Sequence, residues 1–365
     1  MKLSIDKYQL TLALAAVAKG MSSRTTMPIL SGILLSASGG NLTLRTSDLE
    51  ISIQHTTAAL VEDSGETVVP GKLFQEVVRA LPDAAVSLEL TDEGLLVACD
   101  ESKFSIHTFN PIDFPSFPKV ESQRRITIPA GRLAGAVKKV SKAVSRDESR
   151  ATLTGVLLKN EGQKLTFAAT DSYRLALVSE IEGSEEDFEL LIPGAVLDEV
   201  VKLAGGETEI EIGEAENQIV FTFAETIFIS RKIEGSFPNY GTLIPKDHQI
   251  KAVIETQALL TAIKRVSIAG QGRSPIRLNF QVDTQKIEID SKTADLASAS
   301  ETIEAEIEGE DLVIGFNQQY ITDGLSVVED QEVLFEGQSP TKPGILKSGQ
   351  NESSLYLTMP VRIEN

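Results

Sequence analysis

The segment Arg124–Arg150 reads RRITIPAGRLAGAVKKVSKAVSRDESR and predicts a short strand followed by an amphipathic helix. Ile126 and Ile128 alternate with polar residues up to Pro129, as in a strand with one buried face. No proline occurs in 131–146, and at about 100° per residue the apolar side chains of this range share one side. They are Leu133, Ala136, Val137, Val140 and Val144. A strand leading directly into a helix is therefore the unit from which the fold is built.

The same segment is a basic island in an acidic chain. It carries eight lysines and arginines against Asp147 and Glu148, whereas the whole chain has 34 basic and 53 acidic residues and a net charge of -19. On the predicted helix every charged side chain is basic and lies opposite the apolar side. Such a face often serves only solvation, but a face without any acid in so acidic a chain favours contact with a polyanion.

Length and composition indicate a globular protein of several domains. With 365 residues, two or three domains are expected, and 41% apolar and 24% charged residues are ordinary for a soluble protein. The first residues lack the apolar core of a secretion signal, and no apolar run is long enough to span a membrane, which predicts a cytoplasmic location. Cys99 is the single cysteine and lies in a strand-like run, so a buried structural thiol is predicted.

Short sequence markers recur with one period and predict an internal repeat. Three pairs of markers lie 123 residues apart: Ser47-Asp48 and Thr170-Asp171, Val69-Pro70 and Ile192-Pro193, and Phe114-Pro115 and Phe237-Pro238. A weaker third copy of the first marker, Ala294-Asp295, follows 124 residues later. Three independent markers that agree on one period predict three similar modules in series.

Each module shows the same order of predicted elements. A strand is followed by an amphipathic helix, a hairpin, a second strand and helix, and a second antiparallel pair. The first helix of each module is predicted at 7–19, 131–146 and 256–268. This order predicts an α+β fold with antiparallel sheets on one side and two helices per module on the other. Polar segments separate three predicted domains, which comprise residues 1–122, 123–247 and 248–365.

The chain offers little for catalysis. His55, His107 and His248 lie in different modules without the spacing of metal ligands. Gly270-Gln271-Gly272 begins like a dinucleotide-binding motif, but Pro275 occupies the position of the third glycine. We therefore expect a protein that is not an enzyme, with no catalytic residue, no metal site and no cofactor.

Basic residues outside the island also fall on or beside predicted helices, whereas acidic residues concentrate on strands and loops. If the helices line one surface, that surface attracts a polyanion. The predicted polyanion-binding residues are Arg24, Lys72, Arg79, Arg132, Lys138, Lys139, Lys142, Arg146, Arg150, Lys264 and Arg265.

Four stretches together resemble the bacterial sliding clamp, the beta subunit of DNA polymerase III. They are Ser22–Leu30 (SSRTTMPIL), Ser47–Glu50 (SDLE), Thr170–Ala176 (TDSYRLA) and Tyr356–Ile363 (YLTMPVRI). The resemblance covers the whole chain, and the stretches lie at the mutual distances of the family. It implies three repeated DNA-clamp domains per chain and a head-to-tail homodimer closed into a ring of six domains. The helices would line the hole and the sheets would form the rim.

The resemblance also implies two contact sites. A pocket for short linear peptides of the replicative DNA polymerase, the clamp loader and repair proteins would be formed by Leu153, Thr170, Ser172, Tyr173, Arg174, Leu175, Pro238, Leu243, Asn317, Tyr320, Met359, Pro360, Val361 and Arg362. The dimer interface would include Leu81, Phe104 and Ile268. The chain departs from the family at Tyr173, where many members have histidine, and at the additional C-terminal residues Glu364-Asn365.

The leading functional prediction is a DNA sliding clamp, a ring-shaped processivity factor that encircles double-stranded DNA without sequence preference and tethers its partners. The alternative is an open repeat scaffold or nucleic-acid-binding module that recruits enzymes without encircling DNA. Retention on circular against linear DNA would separate the two. A hydrolase would need a cluster of perturbed carboxylates or histidines, which the sequence does not suggest.

Overall fold

The structure, a computed structural model, describes residues 1–22, 26–205, 209–271, 274–293, 296–348 and 351–363. The predicted DNA contact Arg24, the weak marker Ala294-Asp295 and the C-terminal pair Glu364-Asn365 lie outside these ranges. The chain forms two compact units. Unit 1 comprises Met1–Gly131 and Glu199–Lys232, and unit 2 comprises Arg132–Asp198 and Ile233–Asn365.

The three modules repeat the predicted order of strands and helices, with one additional short strand in the first and third modules. The first contains β1 (Lys2–Asp6), α1 (Lys7–Val17), β2 (Gly32–Ser38), β3 (Asn41–Ser47), β4 (Ile51–Ala58), β5 (Leu60–Asp63), β6 (Gly65–Pro70), α2 (Gly71–Ala80), β7 (Ala85–Thr91), β8 (Gly94–Cys99) and β9 (Ser102–Ile106). The second contains β10 (Arg124–Pro129), α3 (Ala130–Val140), β11 (Gly155–Glu161), β12 (Lys164–Thr170), β13 (Arg174–Glu182), β14 (Phe188–Pro193), α4 (Gly194–Ala204), β15 (Glu209–Glu214), β16 (Gln218–Phe223) and β17 (Thr226–Arg231).

The third module follows the same plan. It contains β18 (Ile250–Glu255), α5 (Thr256–Gly270), β19 (Ile276–Gln281), β20 (Lys286–Thr293), β21 (Ala297–Glu304), β22 (Glu306–Gly309), β23 (Leu312–Phe316), α6 (Gln318–Leu325), β24 (Glu332–Gly337), β25 (Gly344–Ser348) and β26 (Asn351–Thr358). Short 3-10 helices occupy Ala18–Gly20, Pro28–Ser31, Pro111–Asp113, Ser141–Ala143, Glu148–Leu153 and Tyr240–Thr242. The α+β class is confirmed.

Antiparallel sheets extend from one module into the next. Unit 1 holds sheets of order β5-β1-β7-β8-β9 and β10-β15-β16-β17-β4-β3-β2-β6. Unit 2 holds sheets of order β14-β11-β12-β13-β26-β25-β24-β18-β22 and β21-β20-β19-β23. The pair β17–β4 joins the second module to the first, and β13–β26 joins the second to the third. Backbone hydrogen bonds, not flexible linkers, therefore connect consecutive modules.

The repeated Ser/Thr-Asp marker is one turn built twice. The Asp48 carboxylate accepts from the amides two and three residues later at 3.0 and 2.7 Å, and Asp171 does the same at 2.9 and 3.1 Å. The intervening residues Leu49 and Ser172 have φ of 76° and 81°. An aspartate that bonds its own following backbone stabilises such a turn. The marker thus closes the β3–β4 and β12–β13 connections identically.

The 123-residue period also appears in the packing. Leu34, Val68 and Phe114 form one apolar cluster in unit 1. The residues 123 positions later, Leu157, Leu191 and Phe237, pack together in unit 2. Each Phe-Pro marker therefore supplies a phenylalanine that covers the same point of its sheet.

The first helix of the second module is shorter than predicted. It ends at Val140, continues as the 3-10 turn Ser141–Ala143, and the backbone is extended at Val144. The Ser141 hydroxyl lies 2.8 Å from the Val137 carbonyl and 2.7 Å from the Asp198 carboxylate, and back-bonding of this kind disfavours continuation of a helix. The prediction of helix to residue 146 is wrong, and Arg146 lies beyond the helix.

The thiol of Cys99 and the hydropathy of the helices were also the subject of predictions. Cys99 is 2% exposed, which confirms a buried thiol. Within the described ranges, no helix combines the length and the hydropathy that a membrane crossing requires.

His55 makes the stability of unit 1 depend on pH. Its Nδ1 lies 2.8 Å from the Thr226 hydroxyl at the β4–β17 junction, and burial lowers its pKa below the ordinary 6.5, partly offset by Glu225. The unfolded chain therefore binds a proton at higher pH than the folded chain. The resulting stability is complete above about pH 6.5 and is lost as the pH falls through the folded pKa.

We expect His55→Gln, which retains a hydrogen-bonding side chain, to reduce the loss of unfolding free energy between pH 7.5 and pH 5.5. Urea unfolding at both pH values measures it. His248→Gln, at an exposed position in unit 2, is the control and should behave as the unmodified protein. Equal losses in His55→Gln and the unmodified protein would contradict the assignment.

Candidate functional site

The turn that contains the second Thr-Asp marker forms the centre of the site. Thr170 Oγ1 donates to the Arg174 carbonyl at 2.6 Å and accepts from the Ser172 amide at 3.1 Å. The Asp171 carboxylate accepts from the amides of Tyr173 and Arg174, so the amides of residues 172 to 174 are all bonded within the turn. The turn leaves the Tyr173 side chain 58% exposed, whereas only 11% of the Arg174 side chain is exposed.

Arg174 is surrounded by groups that bind its guanidinium. Nε donates to Asp171 at 2.9 Å, and Nη1 donates to Asp323 at 2.5 Å and to the Tyr356 hydroxyl at 3.3 Å. Burial acts to lower the pKa of Arg174, but Tyr356 and the two carboxylates outweigh it and raise that pKa above its ordinary value. Burial raises the pKa of Tyr356 more than Arg174 lowers it. Arg174 is therefore a cation at physiological pH, and Tyr356 is a neutral phenol whose oxygen accepts from it.

Helix α6 brings a second aromatic ring to the turn. Asn317 caps the helix by accepting from the amides of Gln319 and Tyr320 at 2.9 and 3.2 Å. The Tyr320 ring stacks on Tyr173 with a centroid distance of 6.3 Å and an angle of 27°. The Arg174 guanidinium lies 4.5 Å from the Tyr320 centroid, within the range of a cation–π contact.

The segment Met359–Arg362 borders the same turn. The Met359 amide donates to the Tyr173 carbonyl at 2.8 Å, Pro360 forms a bridge with Phe316, and the Val361 amide donates to the Gly315 carbonyl at 2.9 Å. These bonds anchor the backbone while leaving the Met359 side chain 39% exposed. Arg362 is exposed.

A buried apolar cluster begins at Leu175, the residue that follows Arg174. Leu175, Ile345 and Leu357 are buried together. Leu177, Tyr240, Ile244 and Leu355 cover them. Leu243, 48% exposed, follows Tyr240 in a turn closed by a 2.9 Å backbone bond. The structure thus brings together Thr170, Ser172, Tyr173, Arg174, Leu175, Asn317, Tyr320, Met359 and Pro360 through direct or shared contacts. Leu153 is buried and Pro238 is exposed, and both belong to the same unit.

A polar groove of about 930 Å³ continues from the aromatic pair. Its lining includes Tyr173, Arg174 and Tyr320 together with Lys138, Lys142, Arg146 and Arg150. Arg150 is held there by Asp147 at 2.9 Å and by the Ser172 hydroxyl at 3.1 Å. Four residues predicted for DNA contact therefore border the predicted peptide pocket.

The remaining predicted DNA contacts within the described residues lie on helices. Lys72 and Arg79 are exposed on α2, Arg132 is exposed and Lys139 half-buried on α3, and Lys264 and Arg265 are exposed on α5. Lys138 pairs with Glu329 at 2.8 Å and Arg265 with Glu301 at 2.9 Å. Exposed pairs of this kind contribute little stability, so they can exchange partners.

The three predicted interface residues differ in exposure. Phe104 is 39% exposed on β9, the outer strand of its sheet, and Ile268 is 77% exposed on α5, which packs against the outer strand β21. Leu81 is 3% exposed, and its carbonyl accepts from Lys7 Nζ at 2.5 Å within its own chain. The Leu81 side chain belongs to the core of unit 1.

Sequence analysis missed several polar residues of the site. Asp323 and Tyr356 bind Arg174, and Gln319 donates to Asp323 at 2.8 Å. The repeated marker could have identified Asp171. Nothing in the local sequence distinguishes Asp323, because its partner is 149 residues away. Across the described part of the chain, no three His, Cys, Asp or Glu side chains are grouped to hold a metal ion.

Comparison with known proteins places the chain in a family. Models of the N-terminal, central and C-terminal domains of the DNA polymerase III beta subunit match residues 1–118, 127–239 and 241–362. The beta sliding clamp of Streptomyces coelicolor is 33% identical, with 100% of both chains covered, and that of Bacillus subtilis is 32% identical, covering 99% of this chain and 100% of its own.

Solved structures agree. The DNA polymerase sliding clamp of Bacillus subtilis superposes with a TM-score of 0.94 at 31% identity, and the Pseudomonas aeruginosa sliding clamp bound to griselimycin with 0.93 at 28%. Both matches cover 100% of each chain. The repeated α+β modules and these matches lead to one conclusion. The chain belongs to the family of bacterial DNA polymerase III beta subunits, the beta sliding clamps.

Proposed function

We propose that the protein acts without catalysis as a ring-shaped processivity factor. Two copies close head to tail around double-stranded DNA, and the pocket on unit 2 tethers the replicative polymerase, the clamp loader and repair proteins. The observation that carries the proposal is that the Thr170–Arg174 turn contacts both α6 and Met359–Arg362 and leads directly into the buried apolar cluster that begins at Leu175. A protein that acts on chromosomal DNA works in the cytoplasm of a bacterium.

The chemistry of the pocket suits a short peptide with Leu or Phe side chains. Exposed apolar groups at Met359, Tyr173 and Leu243 lie in the same unit as the buried leucines, and the backbone around them is already bonded. Methionine adapts its shape to different apolar ligands, and a few such anchors usually dominate affinity. One pocket can therefore serve several partners in turn.

The basic helices suit sequence-independent contact with DNA. Lysine and arginine bind phosphate oxygens, which every sequence presents alike, and such contacts weaken with salt. Contacts that any sequence can make permit sliding. The alternative, an open scaffold, would bind linear and circular DNA alike. A closed ring should be retained on circular DNA and lost from its linear form, which gel filtration of the loaded complexes measures.

We expect the protein to sediment at twice 39.4 kDa and Phe104→Arg or Ile268→Arg to sediment as a monomer. A charge placed at either exposed apolar side chain would lie unpaired in the interface and oppose association. Ile112→Arg, which alters an 87% exposed isoleucine elsewhere in unit 1, is the control and should remain a dimer. A monomeric unmodified protein at micromolar concentration would count against the ring.

Replacing Arg79, Arg132 and Lys264 together by Glu should weaken retention on circular DNA while leaving the melting temperature unchanged. The three side chains are exposed on α2, α3 and α5, and exposed substitutions usually alter stability by about 0.5 kcal/mol or less. Lys164, Lys286 and Lys342 are exposed outside the helices, and their replacement by Glu gives a control with the same charge change. Equal retention by both triple variants would refute the helix assignment.

Met359→Ala should weaken binding of a fluorescein-labelled peptide from the replicative polymerase by about tenfold, the effect of roughly 1.4 kcal/mol. The substitution removes apolar contact and keeps the backbone bonds that anchor the segment. Anisotropy titration measures the affinity, and sedimentation should still give the dimer. Leu73→Ala, at a 48% exposed leucine of α2, is the control. Undiminished affinity in Met359→Ala would show that peptides bind elsewhere.

A further inference from the structure

We propose that Arg174 and Asp323 are positioning residues of the peptide pocket, which hold Tyr320 and the Tyr173 turn in the binding arrangement before any peptide arrives. Neither residue would contact the peptide. The proposal rests on the proposed function and adds Asp323, with Tyr356 behind it, to the machinery of recognition.

The contacts of Arg174 leave little for a ligand. Asp171 and Asp323 neutralise its charge at 2.9 and 2.5 Å, and the Tyr356 hydroxyl occupies a further direction at 3.3 Å. The side chains of Arg174 and Asp323 are only 11% and 13% exposed. A peptide carboxylate would have to displace one of these aspartates to reach the guanidinium.

Asp323 connects the same cation to helix α6. One carboxylate oxygen accepts from Arg174, and the other accepts from Gln319 one turn earlier at 2.8 Å. Tyr320 lies between these two helical positions, and its ring faces the guanidinium at 4.5 Å. The ion pair therefore fixes both the helix and the aromatic ring that it carries.

The network also fixes the opposite wall. Asp171 binds the guanidinium with one oxygen and the amides of Tyr173 and Arg174 with the other. The Tyr173 carbonyl in turn accepts from the Met359 amide. The Arg174 guanidinium thus links the 171–174 turn to α6, and the Tyr173 carbonyl links the same turn to the C-terminal segment.

This arrangement has a consequence for affinity. When the side chains of a site are already ordered, binding does not pay the entropy of ordering them. Preorganisation therefore strengthens binding without any new contact. Removing Arg174 leaves Asp171 and Asp323 without their shared cation, and removing Asp323 releases Arg174 from α6, so the members of such a network act together. Removing either partner of the ion pair should therefore have nearly the effect of removing both.

The test uses the full-length protein with Asp323→Asn, Arg174→Gln and the double variant. The probe is the labelled polymerase peptide, measured by anisotropy. We expect each single variant to bind about tenfold or more weakly, and the double variant to be no weaker than the weaker single one, as for coupled residues. Arg277→Gln, which removes an Arg–Asp pair of 3.1 Å elsewhere in unit 2, is the control and should bind normally.

A spectroscopic measurement separates positioning from a general loss of fold. The chain has five tyrosines, so 3-fluorotyrosine labelling gives five fluorine resonances. Without peptide, Asp323→Asn should shift the resonances of Tyr320 and Tyr356 and leave that of Tyr8 unchanged. Tyr356→Phe removes only the hydroxyl and should weaken peptide binding in a fully folded dimer. It tests the same network if Asp323→Asn folds poorly.

Three results would overturn the assignment. Normal binding by Asp323→Asn together with weak binding by Arg174→Gln would mean that Arg174 contacts the peptide itself. Additive losses in the double variant would mean that the two residues act separately, and unshifted Tyr320 in Asp323→Asn would mean that the ion pair does not hold the ring. Failure of the unmodified protein to bind the peptide would instead refute the proposed function, and the role of both residues with it.

Discussion

The pairing of β13 with β26 is the interaction on which the candidate site depends. It joins Arg174 to Thr358 and continues to Val178 and Ser354, so the end of the third module becomes a strand of the sheet begun by the second. Without this ladder, the turn at Asp171 and the segment that begins at Met359 would have no fixed relation. Backbone hydrogen bonding sets the register, and side chains then meet because the register places them together.

The repeat was the most predictable part of the fold. The Thr-Asp and Phe-Pro markers are local, and each has a local physical cause, an aspartate that bonds the next amides or a phenylalanine that covers its own sheet. Hydrophobic alternation likewise predicted the strand at Arg124–Pro129. The length of α3 was mispredicted because the side chain of Ser141 bonds Asp198, a contact that no helical periodicity contains.

The site was predictable only in part. Resemblance supplied Tyr173, Tyr320 and Met359, and the structure brings them to one turn. It could not supply Asp323, whose significance comes from tertiary burial beside a cation and not from its own segment. The sequence analysis also counted some positive charges that the fold neutralises, since Lys138 and Arg265 have acidic partners far away in the sequence. A count of basic residues predicts where positive charge accumulates but not how much of it is already balanced.

The position of the two walls of the proposed pocket also determines how they would bear a load. Tyr173 immediately precedes β13 and Met359 immediately follows β26, so the two walls are the neighbouring ends of two strands bonded along five residue pairs. A force applied to a molecule bound between them would act on both strands at once. The load would be divided over a whole ladder of hydrogen bonds and the sheet behind it, instead of falling on a single loop. A tether built in this way can resist the drag of a moving partner without local unfolding.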